Sequence, residues 1–154
     1  VFDPKNDNWE TVSRSLSFTS EGSWGSIHQP PFFLTLGNNQ YGFIIKTIYG
    51  MGGSFNEYVS IYGLINNSFV CFLTITTGEN NEGATDDELK KYSIKVNLFQ
   101  CLNKEKEFYD IIAEINIKGN YSQKLEDNEV WKLFKDSRKV TFTFKDGCYK
   151  VITN

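Results

Sequence analysis

Glu57-Tyr58-Val59-Ser60-Ile61-Tyr62-Gly63-Leu64-Ile65, then Asn66-Asn67-Ser68, then Phe69-Val70-Cys71-Phe72-Leu73-Thr74-Ile75-Thr76 is the stretch that decides the fold. Two runs of β-branched and aromatic residues flank a turn whose Asn residues tolerate the positive φ of a tight hairpin. Side chains alternate across a strand with a period of two. Val59, Ile61 and Ile65 therefore share one face of the first arm, and Tyr58, Tyr62 and Leu64 share the other. On the return arm the same count puts Phe69, Cys71, Leu73 and Ile75 toward the core, which makes Cys71 a core thiol, and turns Val70 and Phe72 away from it. A hairpin apolar on both sides is either central in the fold or exposes a ring-rich patch of the kind used by protein interfaces and sugar platforms. A second core layer beneath a helix accounts for the same rings.

Outward from this hairpin the period of two continues. Strands are expected at 32–36, stopped by Gly37-Asn38-Asn39, and at 41–48, a run apolar on both faces and so central. Further strands are expected at 92–101, 108–118, 140–144 and 148–152. The last two are joined by Lys145-Asp146-Gly147, where Asp-Gly is a strong hairpin signal. Helix is sparse. Thr85-Asp86-Asp87-Glu88 matches a capping box with room for only a turn behind it. Residues 127–136 carry Val130, Trp131, Leu133 and Phe134 in one helical stripe. Residues 1–30 read as an irregular segment packed on the domain, with Val12, Leu16 and Phe18 in an edge strand or a wrap. The expectation is one mainly β domain over 1–154, an antiparallel β-sandwich or curled sheet of about eight strands with one short helix near the C-terminus. No internal repeat is evident.

Composition narrows the function classes. Of 154 residues, 40% are hydrophobic and 16% aromatic, enough ring area to rule out a disordered chain. The formal charge is -3 and the 16 Lys and Arg are scattered, so there is no basic stripe for nucleic-acid phosphates. No apolar run approaches the roughly 20 residues of a membrane span, and no membrane insertion is expected. The chain opens on Val1 rather than Met, which points to a removed upstream segment, a signal peptide or a vector-derived one. Cys71, Cys101 and Cys148 lie too far apart for a zinc knuckle and leave both free thiols and one disulfide open.

Catalytic hardware is thin. His28 is the only histidine and sits before Gln29-Pro30-Pro31, the setting of an ordinary loop residue; no Gly-flanked nucleophile elbow accompanies it. Asp110 and Glu114 on one strand would stand about 13 Å apart, beyond the separation glycoside cleavage uses. The segment 78–88 holds the densest oxygen ligands, including Glu79, Glu82, Asp86 and Asp87, but its spacing fails for a calcium loop. With Gly83 at the sixth position, Gly78 stands where the first Asp belongs and Leu89 where the closing Glu belongs. A solvated acidic loop explains it more simply, and no metal or cofactor is expected. Gly50-Met51-Gly52-Gly53-Ser54 lacks the Lys-Ser/Thr of a phosphate loop and reads as a mobile connection or bulge, and as a contact loop where glycine lets a partner's backbone approach. The glycosylation patterns at Asn66 and Asn120 are ordinary in an Asn-rich chain.

The Leu36-Gly37 strand end, the Gly52-Gly53 break, Tyr62-Gly63, Asn81-Glu82-Gly83-Ala84 and the final Phe144-Lys145-Asp146-Gly147-Cys148-Tyr149 hairpin together resemble small exported β-rich bacterial proteins. Among these are periplasmic immunity proteins that neutralise toxins delivered by type VI secretion. The resemblance implies a periplasmic or secreted, non-enzymatic domain whose partner is a protein. The expected function is an inhibitor or immunity protein that occludes a partner's active site. Its contact residues would be Met51, Gly52, Gly53, Ser54, Glu79, Glu82, Asp86 and Asp87, the acidic ones steering it to a cationic cleft. The alternative is a carbohydrate- or ligand-binding module, calcium-dependent or not, stacking sugars on Trp24, Tyr41 or Tyr58.

Overall fold

Tight turns at Asn, Gly and Asp set four of the described hairpins: φ is positive at Asn39, at Gly52 and Gly53, at Asn66 and Asn67, and at Asp146 and Gly147. These residue types enter the left-handed region with little strain, and the turns they make match the twist of paired strands. The computed structural model describes residues 2–3, 8–9, 30–125 and 128–152, with side chains over 30–120 and 133–152. Between the turns run β3 (Phe32–Gly37), β4 (Gln40–Met51), β5 (Ser54–Ile65), β6 (Ser68–Asn80), β7 (Tyr92–Cys101), β8 (Asp110–Leu125), β9 (Asn128–Lys145) and β10 (Cys148–Val151). They pair antiparallel in sequence order as one eight-stranded sheet. A separate two-stranded ladder joins β1 (Phe2–Asp3) to β2 (Asn8–Trp9). The expected N-terminal positions Val12, Leu16 and Phe18 lie outside the described residues.

Among the described residues the eight long strands form a single sheet, not the two facing sheets of a sandwich. It is strongly bent. Five strand spacings separate β3 from β8, roughly 24 Å if the sheet were flat. Yet Gly37 bridges to Phe108, and the Tyr109 N–H, one residue before β8, donates to the Leu36 carbonyl at 2.8 Å. Inside the bend lies one core, with Leu36, Val59, Ile61, Phe72, Val96, Ile111, Ala113, Phe142 and Tyr149 buried together. Phe72 meets Phe144 edge-on at 4.8 Å, and Phe108 stacks on Phe144 at 3.8 Å. The Tyr149 hydroxyl donates to the Tyr109 carbonyl at 3.0 Å. The outer face of β4 and β5 is buried as well, through Phe43, Ile45 and Tyr62.

Two expectations are corrected here. Residues 128–136 are strand, not helix: β9 pairs with β8 from Asn128 through Phe142. A continuous ladder satisfies every second backbone group where an isolated helix of ten residues would be marginal. Leu133 and Phe134, half of the supposed helical stripe, are exposed. Among the described residues the only helical piece is a 3₁₀ turn at Glu88–Lys90.

The second correction concerns β6. Tyr62 pairs with Cys71 but Ile61 pairs with Leu73, so Phe72 is an extra residue in the strand. Such a bulge reverses the alternation on one side of it. Phe72, 2% exposed, and Val70 therefore turn into the core, while Cys71 is exposed. Gly63 makes room, because a Cβ there would stand 2.0 Å from the Phe72 ring. A second bulge leaves Thr77 unpaired and turns it inward too.

Candidate functional site

The two segments marked in the sequence meet at one end of the sheet. Gly52 and Gly53 are the two-residue turn between β4 and β5, closed by the Met51–Ser54 pair. This is a two-residue hairpin turn, not a bulge. The Gly83 N–H donates to the Gly53 carbonyl at 3.0 Å, joining the acidic loop to the turn. Gly53 is required twice over. Its φ is +83, and a Cβ would stand 2.0 Å from the Gly83 oxygen.

The loop between β6 and β7 is held from within by Asn81. Its side-chain amide donates to the Lys90 carbonyl at 2.9 Å, and its oxygen accepts from the Tyr92 N–H at 2.8 Å. From the neighbouring strand the Asn120 amide donates to the Glu88 carbonyl at 3.1 Å. The 3₁₀ turn is capped by Asp87, whose carboxylate accepts from the Leu89 N–H at 3.0 Å. Thr85 does accept a backbone hydrogen bond, from the Asp87 N–H at 3.1 Å, but it is not the cap. Glu88 does not reach back as a capping box requires; it pairs with Lys91.

The four carboxylates thus divide. Glu79 accepts from the Tyr92 hydroxyl at 2.5 Å, and this hydrogen bond, with burial and the Glu79 charge behind it, raises the phenol's pKa. Asp87 caps the turn and lies 3.3 Å from Lys90. Both are structural. Glu82 and Asp86 are exposed and raise the Lys91 pKa at a distance, behind the larger effect of its hydrogen bond to Glu88. Beside them Met51 is 89% exposed, with Tyr49 and Phe55 exposed on the flanking strands. Turn and loop are thus joined at one end of the sheet, with Met51 exposed on the hairpin and Glu82 and Asp86 exposed on the loop. Between the acidic loop and β7–β9 a cavity of about 360 Å³ is walled by Glu82, Glu88, Lys91, Tyr92, Asn120 and Leu133.

Tyr49 and Phe55 escaped the sequence reading because they belong to strands; their one signal was to flank the glycine turn. Of the proposed sugar platforms, Tyr41 is exposed, Tyr58 is half-buried and edge-on to Tyr49 at 5.9 Å, and Trp24 lies outside the described residues. His28 lies outside them too. Cys71, Cys101 and Cys148 are free thiols. Among the described residues no three His, Cys, Asp or Glu side chains gather as metal ligands, and no helix is long and apolar enough to cross a membrane. Comparison with family models, with curated proteins and with solved structures finds no match to this chain.

Proposed function

We propose that this chain is a non-enzymatic protein-binding domain, an inhibitor or immunity protein, exported to the periplasm or beyond, that covers a partner's active site with the tip at Met51–Ser54 and the loop over 79–88. The observation that carries the reading is the 3.0 Å hydrogen bond from the Gly83 N–H to the Gly53 carbonyl. It ties a hairpin tip to an acidic loop, so both reach a partner already ordered and little conformational entropy is lost on docking. Met51, exposed beside the hairpin turn, is the apolar anchor, and Glu82 and Asp86 supply long-range attraction toward a cationic cleft.

The test compares capture by the wild-type chain with capture by Met51→Ala and by the double variant Glu82→Gln/Asp86→Asn. A protein captured by wild type should be inhibited stoichiometrically. Its affinity should fall about tenfold or more with Met51→Ala, the loss of an interface anchor. The double variant should slow association and flatten its salt dependence. Capture that both variants leave unchanged, or a captured enzyme that stays fully active, overturns the proposal.

A further inference from the structure

The β6–β7 ladder is short. Only Gly78–Lys95, Glu79–Ile94 and Asn80–Ser93 pair, after which β7 runs on beside β8 alone. Past Lys95 the interior of the curled sheet is left open between β4–β5 and β7. Three adjoining cavities of about 460, 420 and 230 Å³ occupy this opening. Lys46, Glu57 and Thr77 border both the first and the second, and Ile44, Leu98 and Phe99 border both the second and the third. They form one groove, polar at the β6–β7 junction, aliphatic in the middle and ring-lined at the far mouth, where Phe32 is 69% and Phe99 48% exposed.

The polar end holds an ion pair within an otherwise apolar run of β4. Lys46 Nζ lies 2.6 Å from Glu57 Oε2, and the Thr77 hydroxyl donates to Glu57 Oε1 at 2.8 Å. A part-buried pair of this kind is weak evidence for stability, since apolar replacements serve packing as well or better. Its hydrogen bonding is lopsided. Both carboxylate oxygens have a donor, whereas the ammonium, with three N–H donors, has no described acceptor besides Glu57. The group left seeking a partner at this end of the groove is therefore cationic.

We propose that the groove binds a single-chain amphiphile with an anionic head, such as a fatty acid, its carboxylate on Lys46 and its chain along Ile44, Val59, Val96 and Leu98. The end-to-end order of polar and apolar walls fits an unbranched chain, and the volumes lie in the ordinary range of small-molecule sites. A cationic head would have to share Glu57 with Lys46 and the Thr77 hydroxyl and would stand against the Lys46 charge. The site is separate from the tip at Met51 and stands independently of the function proposed for it.

The experiment measures binding of octanoate, decanoate and dodecanoate, below their micelle concentrations, by displacement of a fluorescent fatty acid from the full chain. Affinity should rise about tenfold for each two methylenes added. Dodecanol and dodecyltrimethylammonium should bind at least tenfold more weakly than dodecanoate. Lys46→Met should remove the preference for dodecanoate over dodecanol, and Leu98→Trp, which fills the groove, should weaken the whole series while Lys46 is kept. Thermal melts establish that each variant is folded. Should either fail to fold, the wild-type chain-length and head-group series decides alone. Affinity that ignores chain length or head charge, or a folded Lys46→Met that keeps the carboxylate preference, overturns the proposal.

Discussion

The two ends of the core differ in how they are closed. Near β10 the interior is filled by rings: Phe72, Phe108, Phe144 and Tyr149 interlock between β6 and the C-terminal hairpin. Between β4–β5 and β7 it is walled by aliphatic side chains and one ion pair, and it stays open. Rings bury the most area per residue and pack like a crystal, so the first end carries stability. The second end cannot close because the β6–β7 ladder stops after three pairs. One sheet thus holds a sealed part that fixes its shape and an open part available for binding.

Phe72 is the residue on which the difference between the two ends depends most. Phe72→Ala should destabilise the fold by about 3–5 kcal/mol, since it empties the centre of the ring cluster, and chemical denaturation would measure it. A loss below 1 kcal/mol would mean that the ring end is not the stable one. Gly53→Ala should follow at about 1–3 kcal/mol, from a strained φ and the clash with Gly83. Faster hydrogen exchange at the Gly83 amide would show that the tip had come apart from the loop.

Leu98→Ala, on the open wall, should lower stability by about 1–2 kcal/mol, less than the usual cost for a fully buried leucine. A loss as large as that at Phe72 would erase the contrast between the ends. The smallest effect at neutral pH belongs to Tyr149→Phe, about 1 kcal/mol for the lost hydrogen bond to the Tyr109 carbonyl.

Alkaline pH makes Tyr149 visible. Burial, aided by the Asp110 charge, pushes the Tyr149 phenol from 10.0 up to about 12. Between these values the unfolded chain releases the proton and the folded chain keeps it. Stability is therefore full below the lower value and falls as pH rises toward the upper one. Melting temperatures measured across that interval should decline, and Tyr149→Phe should flatten the decline.

Much of this was legible in local sequence. The sheet's strands outside 128–136 and the hairpin turns at Asn66-Asn67 and Asp146-Gly147 follow from alternation and from turn residues, because both signals act over a few residues. The pairing of the Gly52-Gly53 turn with the acidic loop was not legible; it depends on a hydrogen bond across thirty positions, Gly83 to Gly53. The bulge at Phe72 was equally hidden. A strict count of two sends Cys71 inward, and only the mate strand, with Gly63 opposite, accepts the extra residue. The strand at 128–136 was misread because Val, Trp, Leu and Phe serve helix or sheet alike, and the neighbour β8 chooses. Lys46 had one visible signal, a charge inside an apolar run, but its pairing with Glu57 waited on register.

That the chain is β, antiparallel and hairpin-built is written in its local residue pattern, since φ preferences and side-chain alternation are properties of neighbouring residues. The bend of the sheet into one curled layer, the inward turn of the bulged residues and the open part of the interior arise from the fold as a whole. Those outcomes depend on contacts between distant strands, where burying rings such as Phe72 and Phe144 outweighs the regularity of any single strand.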